Sequence, residues 1–209
     1  MAIPFVLAVY STFIVDVIQM LRIARVDEHT NDPNRLMLGE FHDYLQQIGL
    51  SLPNREKELF DFIRRIRNRI IHYGGIEGSR LRSAFMGMSS DAQQLWRYLS
   101  GGDPPLGSPT EQLALEARHL TPALAVTNHL GEAVNVALAD LIPSGLWADI
   151  VVQDFTAQSV PAGPAQRLRK LLGYARFYYG RLGLGEGYLE DALGRHLTSL
   201  EEEKGGSSH

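Results

Sequence analysis

Residues 54–73, NREKELFDFIRRIRNRIIHY, decide the fold class of this chain. Placed on a helix at about 100° per residue, this stretch separates into two faces. The apolar face consists of Leu59, Ile63, Ile66 and Ile70. The opposite face carries Asp61, Arg65, Asn68 and His72, with Arg64 and Arg67 at its flanks. An apolar stripe of this kind has to be buried against other elements, so the stretch predicts a core helix with one polar face.

Helical spacing recurs along the rest of the chain, whereas strand signals are scarce. The predicted helices are residues 4–25, 35–49, 54–73, 90–99, 110–118, 122–142, 145–152 and 164–199. Pro and Gly mark the breaks between them, at residues 30–33, 51–53, 74–75 and 101–105. Because these residues end helices, the pattern predicts an all-α helical bundle.

Two stretches rich in Gly, Pro and Ser, residues 101–110 and 159–164, are candidate linkers, and the second is the better boundary. The chain of 209 residues, 44% of them apolar, is long enough for one large domain with an appendage. We therefore expect a helical domain at residues 1–155 and a C-terminal helical extension at 160–200, broken near 183–187. Residues 201–209, EEEKGGSSH, are typical of a disordered tail or a linker scar.

Composition excludes several kinds of chemistry. The chain has no Cys, which excludes disulfides, thiol nucleophiles and Cys-ligated metals. A net charge of −4 argues against a protein that coats nucleic acid by bulk electrostatics, so any nucleic-acid contact has to be a local patch. Six cations are concentrated in one region: Arg64, Arg65, Arg67, Arg69, Arg80 and Arg82.

The apolar N-terminal stretch, residues 3–15, could be mistaken for a signal peptide. No cation precedes it and no small-residue cleavage site follows it. Asp16, Gln19 and Arg22 interrupt it, which predicts a buried helix too short to span a bilayer. We therefore expect a cytoplasmic protein without a membrane partner.

The end of the first-quoted stretch carries a recognisable motif. Arg67-Asn68-x-x-x-His72, followed by Tyr73-Gly74-Gly75, resembles the catalytic motif of the HEPN superfamily, an Arg separated from a His by four to six residues. The motif covers six residues, and the helical order resembles the family over about the first 150. The resemblance implies a HEPN-like bundle and an endoribonuclease that needs neither metal nor cofactor, acting in stress, defence or toxin–antitoxin systems.

The roles implied by the resemblance are chemically reasonable, because RNA carries its own nucleophile, the 2′-hydroxyl. An imidazole can move the 2′ proton or the leaving-group proton, and a guanidinium can bind the phosphate. His72 would be the acid or base and Arg67 the phosphate ligand. Asn68 would orient the imidazole or donate to the phosphate. The expected supporting residues are Asp61, Glu58, Arg64 and Tyr73. The expected RNA-binding residues are Arg65, Arg69, Arg80 and Arg82.

HEPN nucleases commonly pair two motifs across one cleft, so the resemblance also implies a homodimer with a composite active site, and possible control by an antitoxin or regulatory protein. Two non-enzymatic alternatives remain. An Arg-rich helix end before Gly-Gly is favoured by the helix dipole and can be purely structural. The chain can also be a non-catalytic HEPN-like binding or regulatory subunit of a larger complex.

Four other histidines are candidate metal ligands: His29, His42, His119 and His129. The His42-Asp43 dyad, with His29 and Asp140, could belong to a metal-dependent HD-type phosphohydrolase, although a solvated helix face is the better interpretation of the dyad. His119 and His129 lack the spacing of zinc-binding helices, so no metal site is expected.

An aromatic run near the C-terminus admits two interpretations. Tyr174, Phe177, Tyr178 and Tyr179 stand beside Arg169, Lys170, Arg176 and Arg181. Such a run can stack on bases, but packing against the bundle is the favoured interpretation. The Gly183-x-Gly185-x-Gly187 run follows no predicted strand, which excludes a dinucleotide site.

Overall fold

The computed structural model describes residues 2–24, 40–76, 79–108, 110–158 and 163–206. Its contacts divide the chain into two compact units, Met1–Leu138 and Ala139–His209. Nine α-helices and two short 3₁₀ turns make up the described part, and extended pairing there is confined to one bridge between Ile76 and Gln112. The predicted all-α class is confirmed.

The helices follow one another in this order: α1 Ala2–Ile23, α2 Phe41–Gln47, α3 Asn54–His72, α4 Ser79–Met86, α5 Ser90–Ser100, α6 Leu120–Leu141, α7 Ser144–Ala157, α8 Pro164–Tyr178 and α9 Glu186–Gly206. The 3₁₀ turns are Ala117–His119 and Gly180–Leu182. Residues 30–33, a predicted break, and residues 35–39 of a predicted helix lie outside the described residues.

Helix α3 is the centre of the first unit and contacts α1, α4 and α5. Leu59, Ile63 and Ile66 are buried as the stripe predicted, while Ile70 is only partly buried. Two phenylalanines widen the buried surface on either side. The Phe60 ring lies 5.2 Å from that of Tyr10, and the Phe62 ring lies edge-on to Trp96 at 5.3 Å. The core therefore covers more of α3 than the stripe indicated.

The prediction of a helix at residues 110–118 is wrong. This segment is mostly irregular and packs along the turn that follows α3, where the Leu113 N–H donates to the Gly75 carbonyl at 2.8 Å. A short 3₁₀ turn begins only at Ala117. This hydrogen bond joins residues that are far apart in sequence. It satisfies the Leu113 N–H, which a helix at 110–118 would have paired with a nearby carbonyl. Helix α4, conversely, was not predicted.

Helix α1 continues through Asp16 and Gln19 and is 22 residues long, so the prediction that it is too short to span a bilayer is wrong. It is the one helix in the described part of the chain that alone has the length and hydropathy of a membrane span, with mean hydropathy 1.8 in its most apolar window. One third of that window is buried within the protein. The buried face includes Leu7, Ile14 and Leu21, so α1 supplies part of the first unit's core.

The second unit contains α7, α8 and α9. Its core consists of Ala148, Val151, Val152, Phe155, Leu171, Ala175, Leu189, Ala192 and Leu193. Helix α7 thus belongs with the C-terminal helices, whereas the sequence placed the boundary after residue 155. The expected hairpin break is confirmed between α8 and α9, where Gly183 has a φ of +59°. Helix α9 continues through residues 201–206 of the expected tail, and residues 207–209 lie outside the described residues.

Replacing Phe62 should test the central position of α3. We expect Phe62→Ala to lower the free energy of unfolding of the first unit by about 3–5 kcal/mol, because it leaves a cavity beside Trp96. The matched Ile71→Ala change, at an exposed position of the same helix, should cost less than about 1 kcal/mol. Urea unfolding followed by Trp96 fluorescence in a Trp147→Phe background measures both, and equal losses would contradict this packing.

Candidate nuclease site

The motif lies on the last two turns of α3. His72 is the final residue of the helix and its side chain is exposed to solvent. Asn68 precedes it by one turn, so the two side chains share a face of the helix, about 40° apart. The imidazole is therefore accessible to a ligand, as the polar face predicted.

Arg67 leaves the helix on a different side, about 140° around from His72. It is partly buried, and its Nη1 donates to the Asn68 Oδ1 at 3.0 Å. Within the described residues its buried Nε has no hydrogen-bond partner. Asn68 thus joins the guanidinium to the face that carries His72.

The chain turns sharply after His72. The N–H groups of Tyr73 and Gly75 both donate to the Arg69 carbonyl, at 3.1 and 2.9 Å. Gly74 and Gly75 have φ angles of +61° and +82°, a region that favours glycine. The Arg69 guanidinium lies over the exposed Tyr73 ring, 4.6 Å from its centre. The turn therefore presents a cation and an aromatic ring next to His72 in sequence.

A distant segment supports this turn. The Gln112 side-chain amide donates to the Gly74 carbonyl at 3.4 Å, and Leu113 contacts Gly75 as described above. Sequence analysis missed this support because Gln112 lies 38 residues from Gly74 and carries no local signal.

Glu58 and Asp61, the carboxylates expected to support the motif, contact residues other than Arg67 and His72. The Glu58 Oε2 accepts the Ser89 N–H at 2.6 Å, just before α5 begins. The Asp61 Oδ1 lies 3.5 Å from the Arg64 Nε, one turn away on α3. Glu58 therefore stabilises the start of α5, and Asp61 neutralises Arg64.

The expected RNA-binding arginines differ in their surroundings. Arg65 and Arg80 are exposed, on α3 and α4, whereas Arg69 is partly buried. The Arg82 Nη2 donates to the carbonyl groups of Leu106 and Gly107, at 3.3 and 2.7 Å. The structure thus holds Arg82 against a loop and leaves Arg65 and Arg80 in solvent.

The His42-Asp43 dyad does not resemble a metal centre. His42 is buried, with the Tyr10 hydroxyl 3.2 Å from its Nε2, so its expected place on a solvated face is wrong. Burial, followed by the charge of Lys57, lowers the pKa of His42 to about 4. Asp43 is exposed as expected and bonds the Lys57 ammonium at 2.6 Å.

The two other residues of the HD-type hypothesis are His29 and Asp140. His29 lies outside the described residues, and Asp140 belongs to the second unit. The part of the chain that the structure describes contains no group of three His, Asp or Glu side chains placed to hold a metal ion.

His119 is a core residue. It is buried and stacks on Trp96, and its Nδ1 accepts the Glu116 N–H at 2.9 Å. Burial lowers its pKa, so the ring is neutral with its proton on Nε2. His129, by contrast, is exposed on α6. The two therefore have different surroundings.

Of the four aromatic residues near the C-terminus, two pack against the core and two are exposed. Tyr174 and Tyr179 pack against the second unit's core, as the favoured interpretation expected. Phe177 and Tyr178 are exposed to solvent. The glycine run near residue 183 follows a 3₁₀ turn, not a strand.

Comparisons of this chain with protein-family models, with characterised proteins and with solved structures found no match. The resemblance to the HEPN superfamily therefore rests on the sequence motif around His72.

The buried His42 should make stability depend on pH. In the unfolded chain a His has a pKa near 6.5, so it takes up a proton between pH 7 and 5. In the folded protein His42 has a pKa of about 4 and stays neutral over this range. Stability contributed by neutral His42 is thus lost as the pH falls, by about 2 kcal/mol at pH 5. Trp96-monitored urea unfolding at both pH values should show a smaller loss in His42→Gln. His129→Gln should keep the wild-type loss, and an unchanged loss in His42→Gln would contradict the prediction.

Proposed function

We propose that this protein is a metal-independent endoribonuclease of the HEPN type, which cleaves RNA by attack of the 2′-hydroxyl on the adjacent phosphate. One observation carries the proposal: His72 is exposed at the end of α3, one turn after Asn68, whose amide oxygen holds the Arg67 guanidinium. Together these side chains offer a proton-transfer group and a cation at one helix end.

The reaction needs a proton acceptor, a proton donor and stabilisation of negative charge. The imidazole of His72 removes the 2′ proton or protonates the departing 5′-oxygen. The guanidinium of Arg67 has five N–H donors; one is used by Asn68 and the Nε–H is buried, so the remaining Nη donors would bind the phosphate oxygens on which charge grows. No metal is required, because the nucleophile belongs to the substrate.

Local charge supports RNA as the substrate. Arg65 and Arg80 are exposed on neighbouring helices that contact each other, and Arg69 stands over Tyr73 beside His72 in sequence. These cations would hold the RNA backbone, and the exposed Tyr73 ring would stack on a base. The net charge of −4 argues against RNA binding over the whole protein surface, so RNA contacts have to come from local patches such as this one.

A second chain would complete the site. Arg67 and His72 emerge about 140° apart on α3, a separation that favours a composite site in which two motifs face one another across a homodimer. We place this enzyme in the cytoplasm, in a stress, defence or toxin–antitoxin role, with an antitoxin or regulatory protein as a further possible partner.

The partial burial of Arg67 favours a second candidate, a non-catalytic HEPN-like binding or regulatory subunit of a larger complex. In that case the Arg67–Asn68 contact stabilises the end of α3 and no proton transfer occurs at His72. Measurement of cleavage separates the two.

The decisive experiment is digestion of total RNA by the purified chain in EDTA. Wild-type protein should release fragments that end in 2′,3′-cyclic phosphate, and His72→Ala should be at least about 100-fold slower, since it removes the proton-transfer group. The control is His129→Ala, which replaces another exposed histidine and should retain full activity. Cleavage that requires a divalent metal, or that survives His72→Ala, would refute the proposal, and absence of cleavage favours the binding subunit.

Complementation tests the composite site. Arg67→Ala and His72→Ala chains should each be inactive alone. If one chain supplies Arg67 and the other His72, mixing them restores about a quarter of wild-type activity, since half of the dimers are mixed and each holds one intact site. A mixture as inactive as its components would show that both groups act within one chain.

A further inference from the structure

Helix α8 carries positive charge that no neighbouring carboxylate in sequence balances. Between Asp154 and Glu186 the chain contains no Asp or Glu. The cations in this interval are Arg167, Arg169, Lys170, Arg176 and Arg181. Five positive charges in a protein of net charge −4 are a local concentration that favours a polyanionic ligand.

Three of these cations share one face of the helix with an aromatic ring. Arg169, Lys170, Gly173, Arg176 and Phe177 are all exposed and lie within about 60° of the direction of Gly173. We call these five residues the α8 basic face. The space beside the Gly173 Cα is open, so the centre of the face is flat. In the described part of the chain, none of the three cations takes part in an ion pair.

Phe177 is 80% exposed, so its ring is accessible to a ligand beside the three cations. Its ring is nevertheless braced: it lies edge-on to Tyr178 at 4.7 Å, and Tyr178 lies 4.6 Å from Tyr174. Tyr174 in turn contacts the core residue Phe155 at 5.6 Å. A row of rings therefore connects the exposed Phe177 to the interior of the second unit.

Asp154 holds this row in place. Its Oδ2 accepts the hydroxyl groups of Tyr174 and Tyr179, at 2.5 and 2.8 Å. Burial and this hydrogen bond raise the pKa of Tyr174 to about 12, so its hydroxyl stays protonated and donating at neutral pH. The aromatic surface is thus fixed before a ligand arrives, which lowers the entropy lost on binding.

We propose that the α8 basic face binds single-stranded RNA, with a base stacked on Phe177 and phosphates held by Arg169, Lys170 and Arg176. Cations along a helix beside an exposed ring are the combination by which proteins hold unpaired strands. A duplex fits less well, because its bases are already stacked on each other. This surface adds an RNA contact in the second unit and does not depend on cleavage at His72.

An anionic membrane surface is the less suitable partner. The leucines of α8 pack into or against the second unit's own core, so they are not available for insertion into lipid. On the α8 basic face, Phe177 is the sole large apolar side chain, which is less than interfacial helices bury in a bilayer.

Binding should be measured in EDTA with the full chain carrying His72→Ala, so that cleavage cannot interfere. The probe is a fluorescein-labelled single-stranded RNA of about 15 nucleotides, and the readout is fluorescence anisotropy. Phe177→Ala should weaken binding about tenfold, while Phe177→Trp should retain it because the π face remains. Tyr98→Ala, which removes a ring that is 84% exposed in the first unit, is the matched control and should bind as the parent does.

Salt dependence tests the cations. Replacing Arg169 and Arg176 with Gln should lower the slope of log affinity against log salt by about 1.4, the value for two phosphate contacts to a single strand. These residues are exposed, so circular dichroism and urea unfolding should match those of the parent.

Several results would overturn the proposal. Binding by Phe177→Leu equal to that of the parent would exclude base stacking, and an unchanged salt slope would exclude phosphate contact by the arginines. Phe177-dependent sedimentation with phosphatidylserine vesicles in place of RNA binding would identify a membrane surface instead. Phe177-dependent RNA binding by a chain whose wild type never cleaves RNA would support this proposal while refuting the nuclease.

Discussion

The burial of α3 on both flanks is the constraint on which the first unit depends. Phe60 packs towards Tyr10 of α1, and Phe62 packs towards Trp96 of α5. A helix held on two sides cannot rotate without exposing a large ring or burying a charge, and either change costs several kcal/mol. What is left for solvent is a strip of polar side chains that ends at His72. The packing of the core thus determines which side chains of α3 are accessible to solvent.

Burial also divides the histidines of the first unit into enclosed and exposed groups. His42 and His119 are enclosed among aromatic rings, which lowers their pKa values and keeps them neutral. A neutral, enclosed imidazole contributes packing and one hydrogen bond, and it cannot reach a substrate. His72 lies at a helix end in water, next to a turn that two glycines make possible. Residue type alone does not distinguish buried from exposed histidines, and the tertiary structure decides which is which.

Both units of this acidic chain concentrate cations locally. In the first unit the arginines lie on α3 and α4, which contact each other, although Arg82 is bonded to a loop and Arg64 pairs with Asp61. In the second unit the α8 basic face has no neutralising carboxylate of its own, and Phe177 projects from it. An acidic protein with separate basic surfaces is suited to binding a polyanion at chosen places, since the rest of its surface repels the ligand.

The sequence by itself determined the helical class, the buried stripe of α3, the exposure of His72 and the break between α8 and α9, because each follows from periodicity or from glycine within a few residues. Tertiary structure decided the burial of His42, the contact of Glu58 with Ser89 and the irregular path of residues 110–118. It also decided the grouping of α7 with the C-terminal helices. These features depend on partners distant along the chain, and local spacing does not encode which distant partner a side chain will meet.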